Sequence, residues 1–512
     1  PSAAQYPPRA TRIATLKKVE KRITARETKH PYYGDIRVKD LRSFGVDALW
    51  NKGIDGAGTS VAVIEGWDLP GIQKTVNALD EKIGLPHAKI ETVFPTGPLP
   101  KTCPAGMKHL GDYGSCKAWG GELTLDVEAV HFFAPYAKIV ISATPADSQI
   151  ADDASAQVAP PEMMKALEYL STRKLADVIS ISDGSNEGDY SHGETEIRAQ
   201  DPGELTAAAH GVPVVNGTGD CGAAQNLATA TGFCNKLTKG RAVATWADSP
   251  YVTAVGGVTP DYLYSGRHGQ DSFSVWKVSP YAAEGAGFSE VYARPGYQDR
   301  VASITHSGRR SLPDITMDGA SGTSEATPQF AALLAMATQV RHHDLGPINA
   351  VLYDRLGRNP SAHGLIDVTK GNNSLYGVRG FAARRGYDVA TGWGTVNAGT
   401  FVPALAKAVA ATPRANSLQT KAAKALAGLT HRISAAPSRV SGGGTSTIRA
   451  DGFLPAHPVT VSVDGKQVTT VTADAKGAAT YALDASSVGT GRHVVRLSGL
   501  LISMRTTVSV TS

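Results

Sequence analysis

Short, nearly continuous apolar runs recur between residues 46 and 410. The clearest are Thr59-Ser60-Val61-Ala62-Val63-Ile64-Glu65, Ala137-Lys138-Ile139-Val140-Ile141-Ser142, Val178-Ile179-Ser180-Ile181-Ser182 and Val212-Pro213-Val214-Val215-Asn216. A strand with one wet face alternates apolar and polar side chains. A run without alternation is covered on both faces, as strands of a parallel sheet are. Segments 122–133, 161–174 and 203–209 between these runs have helical character. Strand–helix alternation predicts right-handed crossovers and an α/β fold with a mainly parallel sheet flanked by helices. Sites in such sheets lie beyond the carboxyl ends of strands, where Asp220 and the loop after Ile181 are expected.

The pattern changes near residue 411. Residues 411–437 are rich in Ala, Lys and Ser and predict a linker. Val459-Thr460-Val461-Ser462-Val463 then alternates with period two, Asp464-Gly465 supplies a hairpin turn, and Gln467-Val468-Thr469-Thr470-Val471 returns. Val494-Val495-Arg496-Leu497 and Thr506-Thr507-Val508-Ser509-Val510 continue the pattern. Residues 438–512 therefore predict a small antiparallel, immunoglobulin-like β-sandwich. It has no cysteine and no catalytic constellation, so it is expected to be an accessory module that binds a surface, a polymer or a protein. At the other end, residues 1–45 are polar and basic, with Lys17, Lys18, Lys21, Arg22, Arg26 and Lys29, and predict a solvated arm or short helix. The span 46–410 is left as the main domain.

Composition narrows the function. A chain of 512 residues exceeds one ordinary domain, and 42% hydrophobic against 19% charged residues allows a large core. A net charge of +5 with no dense Lys/Arg block gives no case for nucleic acid. No window approaches the roughly 18 apolar residues of a membrane span. The N-terminal Pro1-Ser2-Ala3-Ala4-Gln5-Tyr6 lacks the apolar core of a signal peptide, which predicts a cytosolic chain or one whose leader has been removed. The four cysteines favour removal. Cys103 and Cys116 bracket one short loop, Cys221 and Cys234 another, with no Cys-x-x-Cys and no His at zinc-ligand spacing. Of three possible connectivities, the short loops favour Cys103–Cys116 and Cys221–Cys234, and two disulfides predict an oxidising, extracellular setting.

Candidate chemistry begins at Ser321-Gly322-Thr323-Ser324-Glu325-Ala326-Thr327-Pro328, which opens an apolar helix. A serine there is exposed, in a field that favours developing negative charge, and the glycine lets a substrate backbone approach. The plain alternative is a helix cap. A nucleophilic serine needs a base. Among the histidines, His192 and His210 precede glycine, and neither opens a small apolar helix, so both read as structural. Glu122 and Asp126 are four apart in Glu122-Leu123-Thr124-Leu125-Asp126-Val127, so a helix places them on one face beside an apolar flank. Like charges so placed need compensation, most simply a shared proton.

Taken together, Ser-Gly-Thr-Ser-x-x-x-Pro, the Glu-x-x-x-Asp pair and Gly217-Thr218-Gly219-Asp220 after a strand resemble the sedolisin family of serine-carboxyl peptidases. The resemblance covers roughly residues 46–402, including Tyr251 to Gly257, Gly287-Phe288-Ser289, Tyr297-Gln298 and Leu312-Pro313-Asp314-Ile315. It implies a subtilisin-like domain hydrolysing peptide bonds of protein or peptide substrates through an acyl-enzyme, as endopeptidase or tripeptidyl-peptidase, best at acid pH. Ser324 would be the nucleophile, Glu122 the general base and acid, Asp126 its orienting partner, and Asp220 a protonated donor in the oxyanion hole. Glu65 would extend the proton-sharing network. The resemblance also implies one structural calcium ion, held by carboxylates of Asp367 and Asp388 and carbonyls of Val368, Arg384 and Gly386. A monomer is expected. The family's usual Ser-Trp-Gly is Ser182-Asp183-Gly184 in this chain, and Arg384 replaces a usual glycine. The family's usual pro-domain does not precede residue 46, which implies a processed form or a lineage without it. Two rival functions remain: a conventional Asp/His/Ser subtilisin working near neutrality, and an inactive adhesin or scaffold on the same fold.

Overall fold

The computed structural model describes residues 6–26, 31–103, 116–145, 160–227, 233–261, 272–413, 417–429 and 432–512. At its centre is an eight-stranded sheet. Its strands are β1 (Ser60–Glu65), β2 (Lys89–Val93), β3 (Lys138–Ala143), β4 (Val178–Ile181), β5 (Val214–Gly217), β6 (Val252–Pro260), β7 (Phe273–Val275) and β8 (Ile315–Asp318). They run across the sheet as β8-β6-β5-β4-β1-β3-β2. Every neighbouring pair in that order is parallel. Only β7 is antiparallel, pairing Val275 with Val258 at the end of β6.

The absence of alternation in these strands has a direct cause. Val61 and Val63 of β1 enter one apolar cluster, whereas Ala62 and Ile64 enter another on the opposite face. The first face is covered by α1 (Arg9–Arg26), α2 (Ile72–Ile83), α3 (Cys116–Phe133), and, further along the chain, by the helices Thr323–Arg341 and Ala398–Ala410. The second is covered by α4 (Glu162–Thr172) and by α5 (Asp201–Ala209), which contributes Ala207. Both faces of β1, β3, β4 and β5 are dry, so both kinds of position are apolar there, whereas the edge strand β2 is partly exposed. We label Thr323–Arg341 α6. Its residues from Ala326 to Ala337 are buried, so it runs through the core without a polar face.

Two stretches depart from the sequence reading. Within the basic region 1–45, α1 packs Leu16, Val19 and Ile23 into the main core, so its apolar stripe is docked rather than solvated. Residues 1–5 and 27–30 of that region lie outside the described residues. The stretch expected to be a linker contains a helix, Leu418–Gly428, capped by the Ser417 hydroxyl. Ala422 packs there against Leu205 and Ala208 of α5. Ala, Leu and Lys are strong helix formers, and here they also find an apolar partner.

The C-terminal region folds into a three-stranded and a five-stranded sheet. Ile448, Val459, Val461, Leu483, Val495, Leu497 and Val508 from both sheets form one core. The predicted hairpin pairs Val459 with Val471. Asp464 and Gly465 at its turn have φ of +50° and +84°, the geometry of a type I′ turn. One pair is parallel rather than antiparallel, Arg439–Ser441 beside Ser503–Thr511. After Pro437 the chain passes from the smaller sheet to the larger one and lands alongside its last strand in the same direction.

Candidate active site

The carboxyl edge of the sheet gathers the residues singled out in the sequence. Glu65 ends β1, Ser182 and Asp183 follow β4, Asp220 follows β5, and Ser324 lies in the first turn of α6, shortly after β8. Glu122 and Asp126 come from α3, which packs along α6.

The nucleophile turn is shaped by Gly322 and Pro328. Gly322 has φ +91°, and a Cβ there would come within 2.4 Å of Asp220 Oδ2. Any side chain at 322 would be strained and would displace Asp220. Pro328 has no N–H, so the carbonyl of Ser324 lacks its usual helical partner. The Ser182 hydroxyl lies 3.3 Å from that carbonyl and donates to Asp126 at 2.9 Å. One side chain from the end of β4 thus ties the backbone of Ser324 to the carboxyl pair. The sequence reading did not assign Ser182. Its only signal was a polar residue closing an apolar strand.

The carboxyls follow the expected order. The Glu122 carboxyl accepts the Ser324 hydroxyl, and burial raises its pKa to about 7. Charges of Asp220 and Asp183 push in the same direction, while the serine hydrogen bond opposes. Asp126 is fully buried; burial first and the charge of Glu122 second hold its proton affinity well above the usual carboxylate range. Glu65 is also fully buried and raised, by burial and then by Asp126 and Glu122. Neither oxygen of Glu65 accepts a hydrogen bond from another group among the described residues, and its neighbour is the Asp126 carboxyl. Two carboxyls in that contact are compatible only if a proton lies between them, with Glu65 donating and Asp126 accepting. Asp183, where the family has an indole, joins this group; burial raises its pKa to about 7.

Asp220 is held from two sides. Its Oδ1 accepts the backbone N–H of Thr323 at 2.7 Å and the Thr323 hydroxyl at 2.9 Å. Its backbone carbonyl accepts the N–H of Ala283 at 2.8 Å, and the next residue is locked in the Cys221–Cys234 disulfide. Burial raises its proton affinity, against those two hydrogen bonds. The second disulfide, Cys103–Cys116, fixes the start of α3. Both bridges have the pairing predicted from loop length.

The two histidines weighed as a base, and one buried histidine of α3, are engaged elsewhere. His192 faces Ser191 and Glu196, His210 faces the carbonyl of Thr206, and the buried His131 lies between Asp80 and the carbonyl of Pro86.

The segments expected to hold calcium meet each other. Asp367 Oδ2 accepts the Gly386 N–H at 2.9 Å, and Asp388 Oδ2 accepts the Arg384 N–H at 2.7 Å. Asp388 is buried, which raises its pKa to about 6, an environment that a bound cation would reverse. Space beside Gly386 is open. A set of carboxylate and carbonyl oxygens from two loops fits a hard cation such as calcium. Among the described residues, the group of three acidic side chains close enough to share one ion lies elsewhere, at Asp40, Asp318 and Glu325.

No family model matches the chain. Sedolisin of Pseudomonas sp. (strain 101) is 30% identical over 308 residues, covering 56% of this chain and 49% of that protein. Kumamolisin of Bacillus sp. (strain MN-32) is 28% identical over 371 residues, or 67% of this chain and 59% of that protein. Tripeptidyl-peptidase 1 of Bos taurus is 30% identical over 268 residues, or 45% and 42%. The chain thus spans about half the length of the curated relatives it matches. Among solved structures, Pseudomonas sedolisin, a serine-carboxyl proteinase complexed with two molecules of pseudo-iodotyrostatin, superposes with a TM-score of 0.56 at 26% identity, over 68% of this chain and 92% of that one. The main domain therefore has a subtilisin-like fold, and over that domain the chain is similar to sedolisin and its relatives.

Proposed function

We propose that this protein is a secreted serine-type peptidase that cleaves protein or peptide substrates through an acyl-enzyme and works best in acid. One observation carries the reading: the Ser324 hydroxyl is donated to Glu122, a carboxyl whose pKa is raised to about 7. A carboxylate of that basicity takes the serine proton and returns it to a leaving amine.

In the proposed reaction Ser324 Oγ bonds to the scissile carbonyl carbon as its proton passes to Glu122, and the carbonyl oxygen becomes an oxyanion. Asp220, protonated, donates a hydrogen bond to that oxygen; ionised, it would repel it. The C–N bond then breaks, the amine leaves with the proton from Glu122, and Ser324 carries the acyl group. Water repeats the sequence, giving its proton to Glu122 and releasing the acid. Asp126, held by Ser182 and the Glu65 proton, keeps Glu122 oriented. The demand for protonated Asp220 and a shared proton at Glu65 supports acid operation.

The names of the relatives, tripeptidyl-peptidase 1 and serine-carboxyl proteinase, support cleavage near an N-terminus or within a chain. Two disulfides support an oxidising, extracellular setting. No helix among the described residues is long and apolar enough to cross a membrane. Asp367 and Asp388, with carbonyls of Val368, Arg384 and Gly386, would hold one calcium ion. When bound, that ion ties two loops together and takes no part in bond making.

The test is digestion of a denatured protein across about pH 3 to 8 with the cleaved bonds mapped. Hydrolysis in the acid part of that range is expected, and it is lost in both Ser324→Ala and Glu122→Gln, which a histidine base would not require. Activity confined to neutral pH and retained by Glu122→Gln would overturn the reading.

A further inference from the structure

Immediately after the nucleophile stands Glu325, fully buried in the first turn of α6. A charged side chain is an improbable occupant of such a place unless its surroundings are built for it. Its Oε2 accepts the N–H of Ser321 at 2.8 Å, and its Oε1 accepts the Gln329 amide at 3.0 Å. Gln329 in turn accepts the backbone N–H of Asp318 at 3.3 Å. Glu325 thus ties the end of β8, the turn at 321–322 and the second turn of α6 into one unit around Ser324.

Two more buried carboxyls face it. Asp40, Asp318 and Glu325 present oxygens that all lie within 4.8 Å of one another. They come from three elements: the short helix Asp40–Ser43 in the N-terminal region, the end of β8, and α6. Arg37 is the cation facing them, 3.7 Å from Asp318. Asp40 donates to Asp318. Three carboxyls around one guanidinium reach neutrality with one carboxylate and two protons. Asp318, beside Arg37, is the natural anion, and Asp40 and Glu325 hold the protons. Burial raises the proton affinity of all three; the charge of Asp318 adds to it for Asp40 and Glu325, whereas Arg37 and the hydrogen bond from Asp40 oppose it for Asp318.

We propose that Glu325 is a positioning residue for Ser324, bracing the nucleophile turn through Ser321 and Gln329 while sharing protons with Asp40 and Asp318, so that the turn is built for catalysis only while this cluster keeps its protons. The proposal rests on Ser324 being the nucleophile. It adds a second acid requirement, on the opposite side of the turn from Glu122 and Asp220. Rising pH puts extra negative charge between the N-terminal region and α6, and the turn loosens.

The experiment compares wild type with Glu325→Gln and Asp40→Asn, each of which imitates the protonated side chain. Two quantities are followed against pH: peptide hydrolysis, and the melting temperature of a Ser324→Ala background carrying the same changes. The alkaline limb of kcat is expected to move up by about one pH unit in either variant, with KM little changed. The melting temperature is expected to fall less steeply between about pH 5 and 8 than in the parent. Superimposable pH profiles and equal melting slopes for both variants would overturn the proposal. If Glu325→Gln fails to fold, Asp40→Asn alone decides, because Asp40 belongs to a separate element, the short helix Asp40–Ser43. If wild type shows no Ser324-dependent hydrolysis, the peptidase reading fails, while the melting slopes still test the shared protons.

Discussion

The two regions of the molecule use carboxyl groups in opposite ways. In the main domain Glu65, Asp126, Glu204, Asp248, Glu284 and Glu325 are buried, and burial is the largest cause of their raised proton affinity. In the C-terminal sandwich Asp464, Asp474 and Asp484 sit at exposed turns. Hydrogen bonds from His493 and Val494, from Ala478 and Lys476, and from Ser486 lower their proton affinity. The same side chain is a proton holder in one region and an anionic turn-former in the other. The comparison also reconciles a basic chain, of pI about 8.8, with the proposed acid operation: the acid demand would lie in the buried carboxyls, not in the surface charge.

The largest effect that can break this comparison is on activity. Ser324→Ala is expected to reduce kcat by about 10³-fold or more, and Glu122→Gln by a similar factor, since members of such a unit do not add. Steady-state hydrolysis at about pH 4 checks both, with the sandwich's melting transition as a control for folding. A Glu122→Gln enzyme with near-normal turnover would mean that the buried carboxyls are structural only.

Stability against pH comes next. For a carboxyl whose folded pKa is raised, folding favours the protonated form; its contribution is complete below the unfolded value near 4 and disappears as pH rises through the folded value. For Glu122 and Asp183, both at about 7, that window runs from about 4 to 7. The main domain should therefore lose several kcal/mol between about pH 4 and 8. For the lowered aspartates of the sandwich the sign reverses: their contribution is present above about 4 and lost on acidification. Calorimetry at several pH values should show two transitions moving in opposite directions. Parallel movement would erase the contrast.

The third effect concerns how Asp220 is held. The Cys221–Cys234 bridge closes a loop of sequence separation 13 beside it. Replacing both cysteines by serine should cost about 3 kcal/mol of main-domain stability. It should also lower kcat more than it raises KM, because the loop carries the proposed oxyanion donor. Reduction by dithiothreitol, read by melting and by the same assay, gives the matching measurement.

How much of this was legible in the sequence depends on whether local pattern or three-dimensional proximity decides. The strands at 60–65, 138–143, 178–181 and 214–217 were visible because two dry faces leave no polar alternation. The hairpin at Asp464-Gly465 was visible because its turn requires left-handed residues. Glu122 and Asp126 could be paired because helical periodicity joins residues four apart. Ser182, which links Asp126 to the carbonyl of Ser324, could not be found this way, since its partners lie 56 and 142 residues away. The same is true of Asp40, which meets Asp318 and Glu325 only after folding. The helix at Leu418–Gly428 was missed for another reason. Its Ala-rich composition suits a flexible linker until α5 supplies an apolar surface to cover.

The smallest expected effect tests the sandwich side of the comparison at one ion pair. His493 Nδ1 lies 2.7 Å from Asp464 Oδ2, and the Asp464 side chain is half exposed. Asp464 Oδ1 accepts the backbone N–H of Val494 at 2.8 Å, so the carboxylate also ties the hairpin turn to the neighbouring strand. The pair raises the proton affinity of His493 and lowers that of Asp464. It is therefore fully formed only between the two titrations, above the carboxylate's and below the imidazole's. Because solvent screens it, His493→Gln should cost under about 1 kcal/mol at pH 6 and less as pH rises through the imidazole's titration. The main-domain transition should not move over that range. If His493→Gln instead shifted the acid limb of hydrolysis, the two regions would be coupled, and the sandwich would be part of the enzyme's response to pH.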